Sequence, residues 1–176
     1  MLGKTHKLGG ICTGLMISSS YLNGNFSAEN LTMAGAFTAG CLLGSLLPDI
    51  DHRGSTISNK NQVTKGASWV ISLFGHRGIT HAPLVYLIFL FIVQLLFHSM
   101  SNPISLYLWL IGTGIAMGAF SHLILDFLTK GGIPLFFPFI SKKFHLLPLK
   151  TGKCDPFIQV LLIIVTIFVC LSITIL

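Results

Sequence analysis

Residues 104–128, ISLYLWLIGTGIAMGAFSHLILDFL, decide the fold. A helix needs about 20 mostly apolar residues to cross a bilayer, and this run carries one charged residue, Asp126, near its end. Its middle is made of small residues: Gly112, Gly114, Ala116, Gly118 and Ala119. Small residues let helix backbones approach closely in lipid, so the run is expected to pack inside a bundle. His122 and Asp126 stand four apart and share one helix face, His122 lying about 6 Å deeper at 1.5 Å per residue. Burying an imidazole and a carboxylate among apolar residues is costly, which makes the pair a functional candidate. The plainer alternative is a His–Asp hydrogen bond that only joins two helices.

Working outward, four more apolar runs appear: Leu8–Leu22, Leu31–Leu47, Ala82–Phe97 and Pro156–Leu176. Leu31–Leu47 is rich in Ala34, Gly35, Ala36, Ala39, Gly40 and Gly44, and is the expected partner of residues 104–128. Ala82–Phe97 is bulky on all sides and is expected to face lipid. The chain of 176 residues is 52% hydrophobic and 9% charged, where a soluble domain has about 25% charged residues. The reading is an all-α polytopic membrane protein, one domain over residues 1–176, with about five transmembrane helices. The four cysteines, Cys12, Cys41, Cys154 and Cys170, form neither a disulfide framework nor a CxxC zinc pattern and read as small hydrophobes.

All eleven Lys and Arg fall in three places: Lys4 and Lys7, Arg53 to Arg77, and Lys130 to Lys153. The loops around Asn23–Asn30 and Ser99–Pro103 hold none. Cytoplasmic loops are the ones enriched in basic residues, so the N-terminus is expected inside, five helices cross, and the C-terminus lies outside. A signal peptide is the competing reading of the first segment, and its cleavage would remove His6. The net charge of +6 points to anionic lipid rather than nucleic acid, because the basic residues do not interleave with aromatics on a soluble module. A short interfacial helix is expected over Gly66–Gly75, with Trp69 at headgroup level. Ile133–Ile140, with two prolines and three phenylalanines, is expected to be an apolar loop rather than a helix.

The predicted topology brings four groups to one membrane face: His6, Leu47-Pro-Asp-Ile-Asp-His52, His76-Arg-Gly-Ile-Thr-His81 and Ser121-His-Leu-Ile-Leu-Asp126. Pro48 ends the second helix and can aim Asp49, Asp51 and His52 inward. Mixed carboxylate and imidazole donors suit Zn, Mn or Fe more than Ca or Mg. Gly78 allows a turn that would bring His76 and His81 together. Arg77 offers a planar fork to phosphate oxygens, or merely sets topology. A DxD turn also opens haloacid-dehalogenase phosphatases, but no buried strand precedes it here. His98 and His145 read as interfacial and headgroup-contacting residues.

In combination, His6, LPDIDH, HRGITH and SHLILDFLTKGG between hydrophobic helices resemble the YdjM family of inner-membrane proteins over roughly His6 to Pro138. Some members of that family are under LexA control. The resemblance implies a metal-dependent hydrolase, with phospholipase action as one form of it. A more remote likeness is to zinc-dependent phospholipase C and P1-type nucleases, whose His-x-x-x-Asp ligand pair His122 and Asp126 match. It implies His6, Asp49, His52, His76, His81, His122 and Asp126 as metal ligands, with Asp51 a ligand or an orienter. Phosphatidic-acid-type phosphatases are excluded, since they need an Arg where Ala116 stands and a Lys-x6-Arg-Pro segment that is absent.

The expected function is a phosphoester hydrolase for a lipid or lipid-linked substrate, using two or more divalent ions, zinc before manganese. A metal acidifies water toward a pKa of about 7, Arg77 or Arg53 would hold phosphate oxygens, and Asp51 would take the water's proton. The competing readings are a scaffold with a closed structural metal site and a proton or metal transporter. Transport needs polar residues through the midplane, and the outer halves of these helices carry almost none.

Overall fold

A computed structural model describes residues 1–22, 24–51, 78–97 and 102–175; for Asp51 and residues 173–175 the backbone alone is described. Among the described residues five α-helices follow one another: α1 (Gly3–Leu22), α2 (Ala28–Gly44), α3 (Pro83–Phe97), α4 (Pro103–Phe127) and α5 (Asp155–Ile175). Two 3-10 turns, Pro48–Asp51 and Ile79–His81, stand at the end of α2 and the start of α3. Among the described residues there is no strand, only isolated bridges pairing Thr129 with Leu149 and Ile133 with Phe144. The all-helical expectation therefore holds.

The helix starts are written in the sequence. Ser27 caps α2, its Oγ accepting from Asn30 N at 3.2 Å. Asn102 caps α4 by accepting from Ser105 N at 2.8 Å, and Pro103 fills the first position, where a missing N–H costs nothing.

The centre of the bundle is α2 against α4. Gly40 and Gly44 on one helix meet Gly114 and Gly118 on the other. A Cβ at Gly44 would fall 1.9 Å from the Ile115 carbonyl oxygen, and one at Gly118 would fall 1.9 Å from that of Cys41. Only hydrogen fits there, so the two backbones lie in direct contact, as GxxxG faces do in lipid. Around this pair, α3 packs on α4, with Val93 over Gly112 and Trp109 Nε1 donating to Gln94 Oε1 at 3.0 Å. α1 lies on α2 and α4, and α5 lies on α1. The outer faces of α3 and α5 are apolar and exposed, Phe91 at 67% and Phe168 at 71%, as lipid-facing surfaces are.

Two helix boundaries and the number of spans differ from the sequence reading. α1 begins at Gly3 rather than Leu8, because Lys4 and Lys7 end an apolar run without ending a helix, so His6 lies within α1 and not before it. α2 ends at Gly44 rather than Leu47, three residues before the apolar stretch does. Among the described residues three helical stretches are long and apolar enough to cross a membrane: Ala28–Ile50, which is α2 with part of the turn after it, Pro103–Phe127 and Asp155–Ser172. α3 has 15 residues, and α1 has 20 but includes two lysines, so five crossings exceed what length and composition alone provide. Ile133–Ile140 forms no helix, as expected: Ile133 exchanges backbone bonds with Phe144 at 2.9 and 2.8 Å, while Phe136 and Phe139 stay exposed.

The Gly66–Gly75 segment with Trp69, together with His52, Arg53, His76, Arg77, His98 and the side chain of Asp51, lies outside the described residues.

Candidate metal centre

Five side chains from four separate segments meet at one end of the bundle: His6, Asp49, His81, His122 and Asp126. His122 and Asp126 come from the last two turns of α4, where they share a face, with His122 Nε2 3.9 Å from Asp126 Oδ2. The small-residue seam with α2 brings Asp49 beside them: its Oδ1 is 3.7 Å from His122 Nε2. His81 ends the 3-10 turn before α3, its Nε2 3.6 Å from Asp126 Oδ2 and 3.9 Å from Asp49 Oδ1. Tyr86 holds that turn by donating to the Thr80 carbonyl at 2.8 Å, and Thr80 Oγ1 bonds His81 Nδ1 at 3.2 Å. His6 arrives on α1, whose Gly10 lies so close to α2 that a Cβ would fall 2.6 Å from Ser45 Cβ. Its Nε2 is 3.3 Å from Asp126 Oδ1, and its ring stacks on His122 with centroids 3.6 Å apart. The amino group of Met1 also reaches Asp126 Oδ1, at 2.5 Å.

His6, His81, His122 and Asp126 are 1% exposed or less, and Asp49, at 27%, is the open edge. The end of α2 explains the state of His122. Helices leave their last carbonyls without intrahelical partners, and the Ser45 carbonyl instead accepts from His122 Nδ1 at 2.8 Å. A carbonyl only accepts, so a ring proton sits on Nδ1, and in the neutral ring Nε2 carries the lone pair. That nitrogen is buried and makes no hydrogen bond among the described residues. It faces two carboxylates, an arrangement relieved by a cation in the gap or by a second ring proton.

The donor spacing fits a cation. A tetrahedral ion with bonds of about 2.1 Å sets its ligands about 3.4 Å apart. The Nε2 atoms of His81 and His122 each lie 3.6 to 3.9 Å from Asp49 Oδ1 and Asp126 Oδ2, a few tenths of an ångström wider. Two overlapping donor groups result, His6–His122–Asp126 and Asp49–His81–His122. His122 belongs to both, and Asp126 turns one oxygen toward each.

Of the seven ligands expected from the sequence, five converge and two, His52 and His76, lie outside the described residues. His145 is exposed on the basic segment after α4 and belongs to neither donor group. An apolar cavity of about 350 Å³ lies at the other end of the bundle, among Tyr21, Phe37, Gln94 and Trp109, and is separate from the donors.

Known proteins agree with the membrane character. The family model described as YdjM inner membrane protein matches residues 1–176. The uncharacterized protein YvsG of Bacillus subtilis (strain 168) is 36% identical over 155 residues, covering 87% of this chain and 83% of that protein. Inner membrane protein YdjM of Escherichia coli (strain K12) is 33% identical over 102 residues, 55% of this chain and 46% of that protein; the Shigella flexneri protein of the same name matches equally. No solved structure matches the chain. With the whole length covered by one family model, the chain belongs to the YdjM inner membrane protein family.

Proposed function

We propose that this protein is a membrane-bound metal-dependent hydrolase acting on a phosphoester of a lipid or lipid-linked substrate at the cytoplasmic face. The observation that carries the reading is the buried His122 Nε2, oriented by the Ser45 carbonyl and aimed with His81 at two carboxylates. His6, Asp49, His81, His122 and Asp126 would hold the metal, and their mixed nitrogen and oxygen donors suit zinc first and manganese second. A divalent ion held there would supply Lewis-acid polarisation and acidified water at neutral pH.

The chain's own residues supply the rest. The Ser45 carbonyl keeps His122 in one tautomer, as partners behind metal-binding histidines commonly do. The four sealed donors exclude bulk water, and the exposed edge at Asp49 is the side from which substrate can approach. The segment that leaves α4 at this end exposes Lys130, Lys142, Lys143, Lys150 and Lys153 as well as Phe136 and Phe139, and Lys142 lies over the Phe144 ring, which meets Phe136. Cations next to apolar side chains match an anionic headgroup next to an acyl chain. Asp51 as proton acceptor and Arg77 as phosphate holder belong to the same proposal.

The test is metal content by mass spectrometry on detergent-purified protein, beside release of phosphorylated headgroup or phosphate from anionic phospholipid micelles supplied with zinc or manganese. Wild type is expected to carry metal and to hydrolyse, and Asp126→Ala to do neither. Tightly held metal with no turnover of any phospholipid would favour the closed structural site, for which four sealed donors also speak. A wild type that takes up no metal ends the enzyme reading, and the cluster is then a protonated helix clamp.

A further inference from the structure

We infer that Asp155, the first residue of α5, is a positioning residue that sets the rotation of α1 and so presents His6 to the metal centre. The carboxylate is 1% exposed and joins parts of the chain some 150 residues apart. Its Oδ1 accepts from Leu2 N at 2.8 Å and from Thr5 Oγ1 at 2.5 Å, and its Oδ2 accepts from Gly152 N at 2.7 Å. Gln159, one turn along α5, donates from Nε2 to Thr5 Oγ1 at 2.8 Å. Thr5 is fully buried and adjoins His6.

The polarity of this network selects an aspartate. Three donors converge on the residue, and an ionised carboxylate is a pure acceptor with two oxygens. The Thr5 hydroxyl gives its proton to Asp155 and receives one from Gln159, so each atom has one consistent role. An asparagine would turn an NH2 toward at least one N–H or O–H.

Geometry explains why the clamp matters. The Nε2 of a helical histidine lies roughly 6–7 Å from the helix axis, so a 10° rotation of α1 moves it by about 1 Å. Metal ligand bonds tolerate about ±0.2 Å. The close packing at Gly10 fixes how near α1 stands to α2. Bonds to Leu2 and Thr5, on either side of one turn and next to His6, fix how it is turned.

Because this inference rests on the proposed centre, its test carries a readout that needs no metal. Chelator-treated, detergent-purified full-length wild type, Asp155→Asn and Thr5→Val are exposed to diethyl pyrocarbonate, and modification of each histidine is read by mass spectrometry. Metal content is measured in parallel on the untreated proteins. Asp155→Asn is expected to raise His6 modification by about tenfold while His81 and His122 stay protected, the sign of local rather than global opening. Metal content falls in the same variant, and Asp155→Asn adds nothing to His6→Ala, since residues in one network are not additive. Thr5→Val keeps the shape and removes the hydroxyl, so it should follow Asp155→Asn even if that variant folds poorly. Unchanged His6 protection in both variants, or a rise at all three histidines together, overturns the inference. A metal-free wild type in which His6 still opens with Asp155→Asn would keep the inference and remove the metal centre, so the two failures are distinct.

Discussion

His122 is the residue on which the two donor groups depend, and its neighbours have separable roles. It stands in both groups, whereas His6 stands in one and His81 in the other. Metal content of purified variants should follow that sharing. His122→Ala is expected to fall below about a tenth of wild type, and His6→Ala to keep the share held by Asp49, His81 and His122, with loss of one ligand costing at least the 10–100-fold known for outer partners. Equal metal in the two variants would mean that the groups are not sites. At this scale the sequence was informative where spacing is local. A His and an Asp four apart on an apolar helix could be read directly, and LPDIDH placed Asp49 at a helix end. Asp155 carries no such local signal, although it is one of only five acidic residues in the chain and opens an apolar helix. Its partners, Leu2 and Thr5, lie at the far end of the sequence, and no local pattern links them.

Between elements, the α2–α4 seam decides whether the site assembles, because α2 delivers Asp49 and the Ser45 carbonyl while α4 delivers His122 and Asp126. Gly118→Ala sets a methyl group 1.9 Å from the Cys41 carbonyl oxygen, a backbone atom that cannot turn aside. The helices must separate, so thermal unfolding in detergent should show a loss of about 1–3 kcal/mol or more, together with loss of metal. Gly35→Ala, on α2 but with nothing within 4 Å of the added methyl, should be neutral or gain up to about 1 kcal/mol from helix propensity. Similar stability in both would show that the seam is not a close contact. The abundance of small residues announced this pairing in the sequence. The helix ends were less legible. Hydropathy marks where apolar side chains stop, and α1 continues past that point through Lys7 and Lys4, while α2 stops short of it at Gly44.

Over the whole molecule, the position of the site follows from the direction of the helices. The start of α1, the end of α2, the turn before α3 and the end of α4 meet at the His/Asp cluster, and the start of α5 is tied to α1 there by Asp155. The helices therefore alternate in direction, and the residues after α4 that hold Lys130 to Lys153 emerge at the cluster end, while the lysine-free segment before α2 lies at the other. An α1 of 20 residues is about 30 Å long, close to the thickness of the hydrocarbon core, and an α3 of 15 residues covers about 22 Å, a shortfall that flanking residues or local thinning of the bilayer must make up. If all five helices cross, the basic residues place the cluster inside the cell. Single cysteines, introduced after Cys12, Cys41, Cys154 and Cys170 are replaced by serine, distinguish the two faces: Phe26→Cys before α2 and Lys143→Cys after α4, both at exposed positions. With a membrane-impermeant maleimide on intact expressing cells, Phe26→Cys should label at once and Lys143→Cys only after permeabilisation. The opposite pattern would turn the cluster outward and replace a cytoplasmic lipid substrate with one in the outer leaflet. Labelling of both from one side would mean that α2 and α4 do not traverse the bilayer in the arrangement that brings Asp49 to His122, and the membrane-spanning account of the site would fail with them.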